Sequence, residues 1–175
     1  MSGFHTPYST PTDEQAALVG HIVMAWAITE FNLRHLASRL AMMPDMPGRS
    51  ITEGMTGHAT IERIEWLLHL HAHHYGDQVI GAERRVAIAD AVQLAKSVRG
   101  ERNTFAHHIS FRTSDDQLDF FSLGGKQPAP SSYEKVLQLH ELKNLRRKIV
   151  SANDALETAT GLIPEWTERR SEASA

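Results

Sequence analysis

The chain has 175 residues, 41% of them hydrophobic and 22% charged, a mix suited to one globular core and too short for two typical domains. Its net charge of −3 excludes a globally basic nucleic-acid coat, so any RNA contact has to use a local cationic patch. Cysteine is absent, which excludes disulfides and thiolate zinc sites. The N-terminus lacks a basic n-region and no uninterrupted apolar run approaches the ~20 residues a bilayer requires, so the sequence predicts a cytoplasmic chain with no signal peptide and no membrane association.

Residues 1–12, rich in Pro, Ser, Thr and Gly, read as a flexible lead. Thr12 and Gln15 have capping-box spacing, with the hydroxyl accepting from a helical amide and the amide side chain reaching back. Leu18, Ile22, Trp26, Leu33, Leu36 and Leu40 then recur near a 3.6-residue period, predicting a long helix over residues 13–42. Glu30 and Arg34 on it are one turn apart, either a surface ion pair or groups facing a cleft. Pro44, Pro47, Gly48 and Gly54 predict a loop over residues 44–56. A second helix is expected over residues 59–75, with Ile61, Ile64, Leu67, Leu68 and Leu70 as its apolar content and Gly76 as its stop. The third, residues 82–107, has Val86, Ala89, Val92, Ala95 and Val98 on one face. Residues 109–112 and 118–121 are short alternating or apolar runs around a polar turn and predict a β-hairpin. Residues 124–130 read as loop, and a last helix is expected over 131–160 with Val136, Leu139, Leu142, Leu145, Ile149 and Leu156 inward. The predicted fold is all-α: an antiparallel four-helix bundle over residues 13–163, with the hairpin between helices three and four and a polar tail over 164–175. Trp26, Trp66 and Trp166 suit a core or an interface equally.

The chemistry concentrates at the end of the third helix. Arg99, Asn103 and His107 are each four residues apart and form one column, with Arg102 beside it. Cleaving an RNA phosphodiester requires removal of a proton from the 2′-hydroxyl and stabilisation of charge on the phosphorane. Imidazole transfers protons near neutral pH, and guanidinium offers a planar cationic fork for phosphate. The internal 2′-hydroxyl serves as nucleophile, so such a site needs no metal or other cofactor.

Arg102, followed by the polar Asn103 and then His107, resembles the Arg-x4-6-His signature of the HEPN superfamily, late in the third main helix with one long helix to follow. The resemblance spans about residues 13–160 in architecture and Arg102, Asn103 and His107 in motif. It implies a metal-independent endoribonuclease, in many relatives a toxin paired with a nucleotidyltransferase-like antitoxin, and commonly a homodimer whose two motifs line one cleft. Carried over, Arg102 stabilises the phosphate, His107 transfers protons and Asn103 orients them. Arg99 and His108 are further RNA- or phosphate-binding candidates, and His108 could take the proton-transfer role if the backbone shifts. Relatives without catalysis act as binding or regulatory modules, which is the second reading.

A third reading comes from the histidines. Glu65, His69 and His73 form an i, i+4, i+8 column that could hold a metal, completed by His58, His35 or a partner chain, although a His-rich solvated face has the same pattern. Lys143, Arg146, Arg147 and Lys148 are either a track for an RNA backbone or a solvated helix face. Met42, Met43, Met46 and Met55 suit gap filling or cover of an interface.

Overall fold

A computed structural model describes residues 10–106, 108–122 and 135–164. It is mostly helical with a small antiparallel sheet. In chain order the elements are α1 (Asp13–Leu40), α2 (Asp45–Thr52), α3 (Gly57–Leu70) running on into a π-helical turn (His71–Tyr75), α4 (Ala82–Ala106), β1 (His108–Ser114), β2 (Gln117–Ser122), β3 (Lys135–Gln138) and α5 (Leu139–Gly161).

The start of α1 forms as its sequence dictates. Thr12 Oγ1 accepts from the Gln15 amide at 3.2 Å, and Gln15 Oε1 accepts from the Thr12 amide at 2.9 Å. The Gln15 side chain has a second task that its spacing did not announce. It is buried, and its Nε2 donates to the carbonyls of Ser114 and Asp115, each at 3.0 Å, across the β1–β2 turn. One residue thus closes the first helix and pins the hairpin to it.

Leu18, Ile22, Trp26, Leu33, Leu36 and Leu40 form the buried stripe of α1. They meet Ile61, Ile64 and Leu67 of α3, Ile88, Val92, Ala95 and Val98 of α4, and Leu142, Leu145, Ile149 and Leu156 of α5 in one core. α1 packs along α5 and against α3, and α5 also packs along α4. Val86 departs from its predicted face and is exposed; Ile88 and Ala91 take the inward positions instead. Trp26 is a core residue and Trp66 is exposed, while Trp166 lies outside the described residues.

Three expectations are revised. The loop predicted over residues 44–56 contains α2, because Pro47 lies in the first helical turn, where a missing N–H is no loss. Gly48 within α2 is required by contact with α1: a Cβ there would stand 1.7 Å from Ser38 Oγ and 2.8 Å from Ser38 Cβ. The hairpin is present but gains a third strand, in the order β1-β2-β3, with Leu118 opposite Leu137 and Asp119 opposite Val136. β3 occupies residues assigned by pattern to the last helix, so α5 begins at Leu139 rather than at 131, and Val136 is exposed rather than inward. Pairing with β2 satisfies the backbone there and buries Leu137, which outweighs the local helical pattern. Residues 1–9, 124–130 and 165–175, read as lead, loop and tail, lie outside the described residues.

α1 also changes the membrane argument. Its 28 residues include an 18-residue window of mean hydropathy 1.4, so by length and composition it is long and apolar enough to cross a bilayer. One face of it is buried in the protein core; on the other, Val23, Met24, Ile28 and Phe31 are exposed.

Candidate functional site

The end of α4 faces the middle of α1 and the start of α3. A hollow of about 480 Å³ opens between them, with Arg99, Arg102 and Asn103 on its α4 wall, Trp26, Glu30 and Arg34 on its α1 wall, and Gly54 to His58 along the loop and first turn of α3. Three arginines face one glutamate, so the cleft is locally cationic on a chain of net charge −3.

Each wall is held by a local arrangement. On α1, Trp26, Glu30 and Arg34 are spaced by four and stand in one column. Trp26 is buried, and its Nε1–H donates to Glu30 Oε1 at 3.0 Å. Arg34 Nη2 donates to the Met55 carbonyl at 3.3 Å and lies 3.9 Å from Glu30 Oε2. The surface-pair and cleft-facing readings of Glu30 and Arg34 are therefore both met, since the loose pair lies in the cleft wall. On α4, the Arg102 guanidinium lies 5.5 Å over the Trp26 ring, and its Nη1 donates to Asn103 Oδ1 at 3.3 Å. The indole face carries negative quadrupole density and so favours the cation at that position. The Nε atoms of Arg34 and Arg102 are buried and have no hydrogen-bond partner among the described residues.

The third wall is the N-terminus of α3. Thr56 caps it, with Oγ1 accepting from the Ala59 amide at 3.2 Å. A helix start presents free N–H groups and the positive end of the dipole, which adds to the field of the arginines. Gly57 brings this terminus close to α1, where a Cβ would come within 3.4 Å of Glu30 Oε1 and 3.5 Å of Trp26 Cζ2. His58 follows in the first turn, with Nε2 3.3 Å from Glu62 Oε1.

Of the predicted residues, Arg99, Arg102 and Asn103 are brought together. His107 lies outside the described residues; α4 ends at Ala106, and His108 begins β1. The sequence pattern does not mark Trp26 as a site residue and predicts only loop for Gly54 to Thr56. The signal that could have found them is the i, i+4, i+8 column on α1, which mixes one aromatic with two opposite charges in the middle of the helix.

The histidine column does not gather a metal set among the described residues. The His69 and His73 rings lie 4.1 Å apart, but Glu65 turns to α4, where it accepts from Lys96 Nζ at 2.7 Å and Gln93 Nε2 at 3.3 Å. His71 is buried, its Nε2 2.8 Å from the Leu40 carbonyl, and serves the core. The basic cluster of α5 is mostly engaged: Lys143 pairs with Glu14 at 3.0 Å, Lys148 with Glu101 at 2.8 Å, and Arg147 bonds Asn144. A larger hollow of about 660 Å³ between α1 and the end of α5 has Ile28, Phe31 and Ile163 in its wall and is less concentrated in cations.

No protein-family model, curated protein or solved structure matches this chain.

Proposed function

We propose that the chain is a metal-independent endoribonuclease of the HEPN kind, built on an antiparallel four-helix bundle, with its phosphate site in the cleft between α1, α3 and α4. The observation that carries this reading is the convergence of Arg34, Arg99, Arg102 and Asn103 on one solvent-open hollow beside a helix N-terminus. Such a hollow suits an anion, and guanidinium forks suit a phosphodiester in particular.

In the proposed reaction Arg102 holds the non-bridging phosphate oxygens and neutralises charge as the phosphorane forms. Asn103, bonded to Arg102, sets the angle of the fork. Arg99 and Arg34 extend the cationic wall along the strand. His107, four residues beyond Asn103, transfers a proton. The 2′-oxygen attacks phosphorus, the bond from phosphorus to the 5′-oxygen breaks, and the products are a 2′,3′-cyclic phosphate and a 5′-hydroxyl end. The protein is proposed to act in the cytoplasm as a homodimer, in the manner of a toxin with a nucleotidyltransferase-like antitoxin. A non-catalytic module would use the same cleft to hold a nucleotide or partner.

Incubating the purified chain with labelled oligoribonucleotides in EDTA tests the reading. Cleavage is expected, it should be lost in His107→Ala and Arg102→Ala, and 2′-deoxy substrates should resist. An unaltered chain that binds RNA but never cuts it leaves the binding module; a chain that neither binds nor cuts ends both readings.

A further inference from the structure

Cleavage by an internal 2′-hydroxyl needs two proton transfers, one from the nucleophile and one to the leaving 5′-oxygen. An Arg-Asn-His motif supplies one imidazole. Among the described residues, the cleft itself holds another. His58 stands in the first turn of α3 and lines the same hollow as Arg99, Arg102 and Asn103. Its side chain is 57% exposed, so it sits at the rim rather than in the packed floor.

We infer that His58 is the general acid of this cleft, protonating the 5′-oxygen as its bond to phosphorus breaks. The inference rests on the ribonuclease reading above and adds a residue to it. In the balanced step, His107 takes the 2′-hydroxyl proton while the 2′-oxygen bonds to phosphorus, and the His58 imidazolium gives its proton to the departing 5′-oxygen. Each imidazole ends in the opposite protonation state and resets by exchange with water, without any further reactant.

Three observations support the assignment. Glu62 Oε1 lies 3.3 Å from Nε2, one turn along the same helix, which orients the ring and leaves Nδ1 for the substrate. The rim position lets the imidazole reload from solvent after each turnover and lets the 5′ product leave past it. Among the described residues, the other charged groups lining the hollow are Glu30 and Arg34 on α1 and Arg99 and Arg102 on α4. The arginines cannot give up a proton near neutral pH, and Glu30 already accepts from Trp26. Histidine is the lining residue whose ordinary chemistry suits proton donation there.

The test uses His58→Gln, which keeps a polar side chain at an exposed position. Two oligoribonucleotides are compared: an all-oxygen RNA, and the same strand with sulfur in place of the 5′-oxygen at the bond the unaltered chain cuts. A thiolate leaves without a proton, so it does not need the acid. We expect His58→Gln to slow cleavage of the all-oxygen RNA by ~10²–10⁴-fold, the usual contribution of a positioned acid. The sulfur substrate should be cut at close to the rate of the unaltered chain, and affinity for a 2′-deoxy strand should be unchanged. If His58→Gln cuts the all-oxygen RNA as fast as the unaltered chain, or slows both substrates equally, His58 is not the acid. An unaltered chain that cuts neither substrate overturns the ribonuclease reading itself and this inference with it.

Discussion

Replacing Arg102 by Met separates a phosphate-binding guanidinium from a merely packed one. Met preserves much of the length and apolar bulk over Trp26, so the change removes charge and donors with little loss of volume. Among the described residues, the guanidinium hydrogen-bonds an exposed partner, Asn103 at 3.3 Å, and makes a cation–π contact with Trp26 at 5.5 Å. An exposed bond of that length and an aromatic contact of that kind contribute together about 1 kcal/mol. For a chain of this size that corresponds to a fall in Tm of roughly 2–4 °C. A charge-assisted contact to phosphate contributes more, about 1.5–3 kcal/mol, because the acceptor carries full charge. The expected loss of affinity for a 2′-deoxy oligonucleotide is therefore on the order of 10- to 150-fold. Fluorescence anisotropy measures the binding and thermal melting measures the fold. Unchanged affinity alongside a lowered Tm would show that Arg102 serves packing alone, and the phosphate argument would be refuted.

Binding should also depend on salt through few charges. If Arg34, Arg99 and Arg102 contact two or three phosphates, the slope of log K against log salt should be about −1.4 to −2.1, and Arg34→Met should flatten it by about 0.7. A slope near zero would mean that the cleft does not read the RNA backbone. Gln15→Ala should destabilise by about 1–3 kcal/mol, because it removes the two hydrogen bonds by which the buried Gln15 side chain holds the Ser114 and Asp115 carbonyls of the β1–β2 turn, and hydrogen exchange at that turn should rise together with the start of α1. Gly48→Ala should lower stability by about 1–3 kcal/mol despite the better helix propensity of alanine, since the Ser38 Cβ cannot rotate away. Adding Ser38→Gly should recover part of that loss in urea unfolding, a coupling that two independent substitutions would not show.

The long helices were legible because their signals are local. The apolar periods of α1 and α5 and the Thr12–Gln15 cap each lie within one segment, and the structure keeps them. α2 was hidden because its proline and glycine resemble loop residues in isolation. Only the close approach of Gly48 to Ser38 explains why a helix tolerates glycine there. β3 was hidden because Val136 continues the three- and four-residue apolar spacing of α5, and strand pairing with β2 is a long-range choice that no period within the segment records.

For the candidate site, the sequence by itself determined one wall: Arg99, Arg102 and Asn103 share a face because a helix of 3.6 residues per turn requires it. It also determined the column Trp26, Glu30 and Arg34, without saying what that column faces. Tertiary structure alone decided that the two walls meet, that the start of α3 closes the third side, and that His58 shares the hollow with the arginines. The physical reason is that helical periodicity fixes which residues share a face, whereas packing of the buried stripes fixes which faces oppose one another. A cationic cleft is a property of opposed faces.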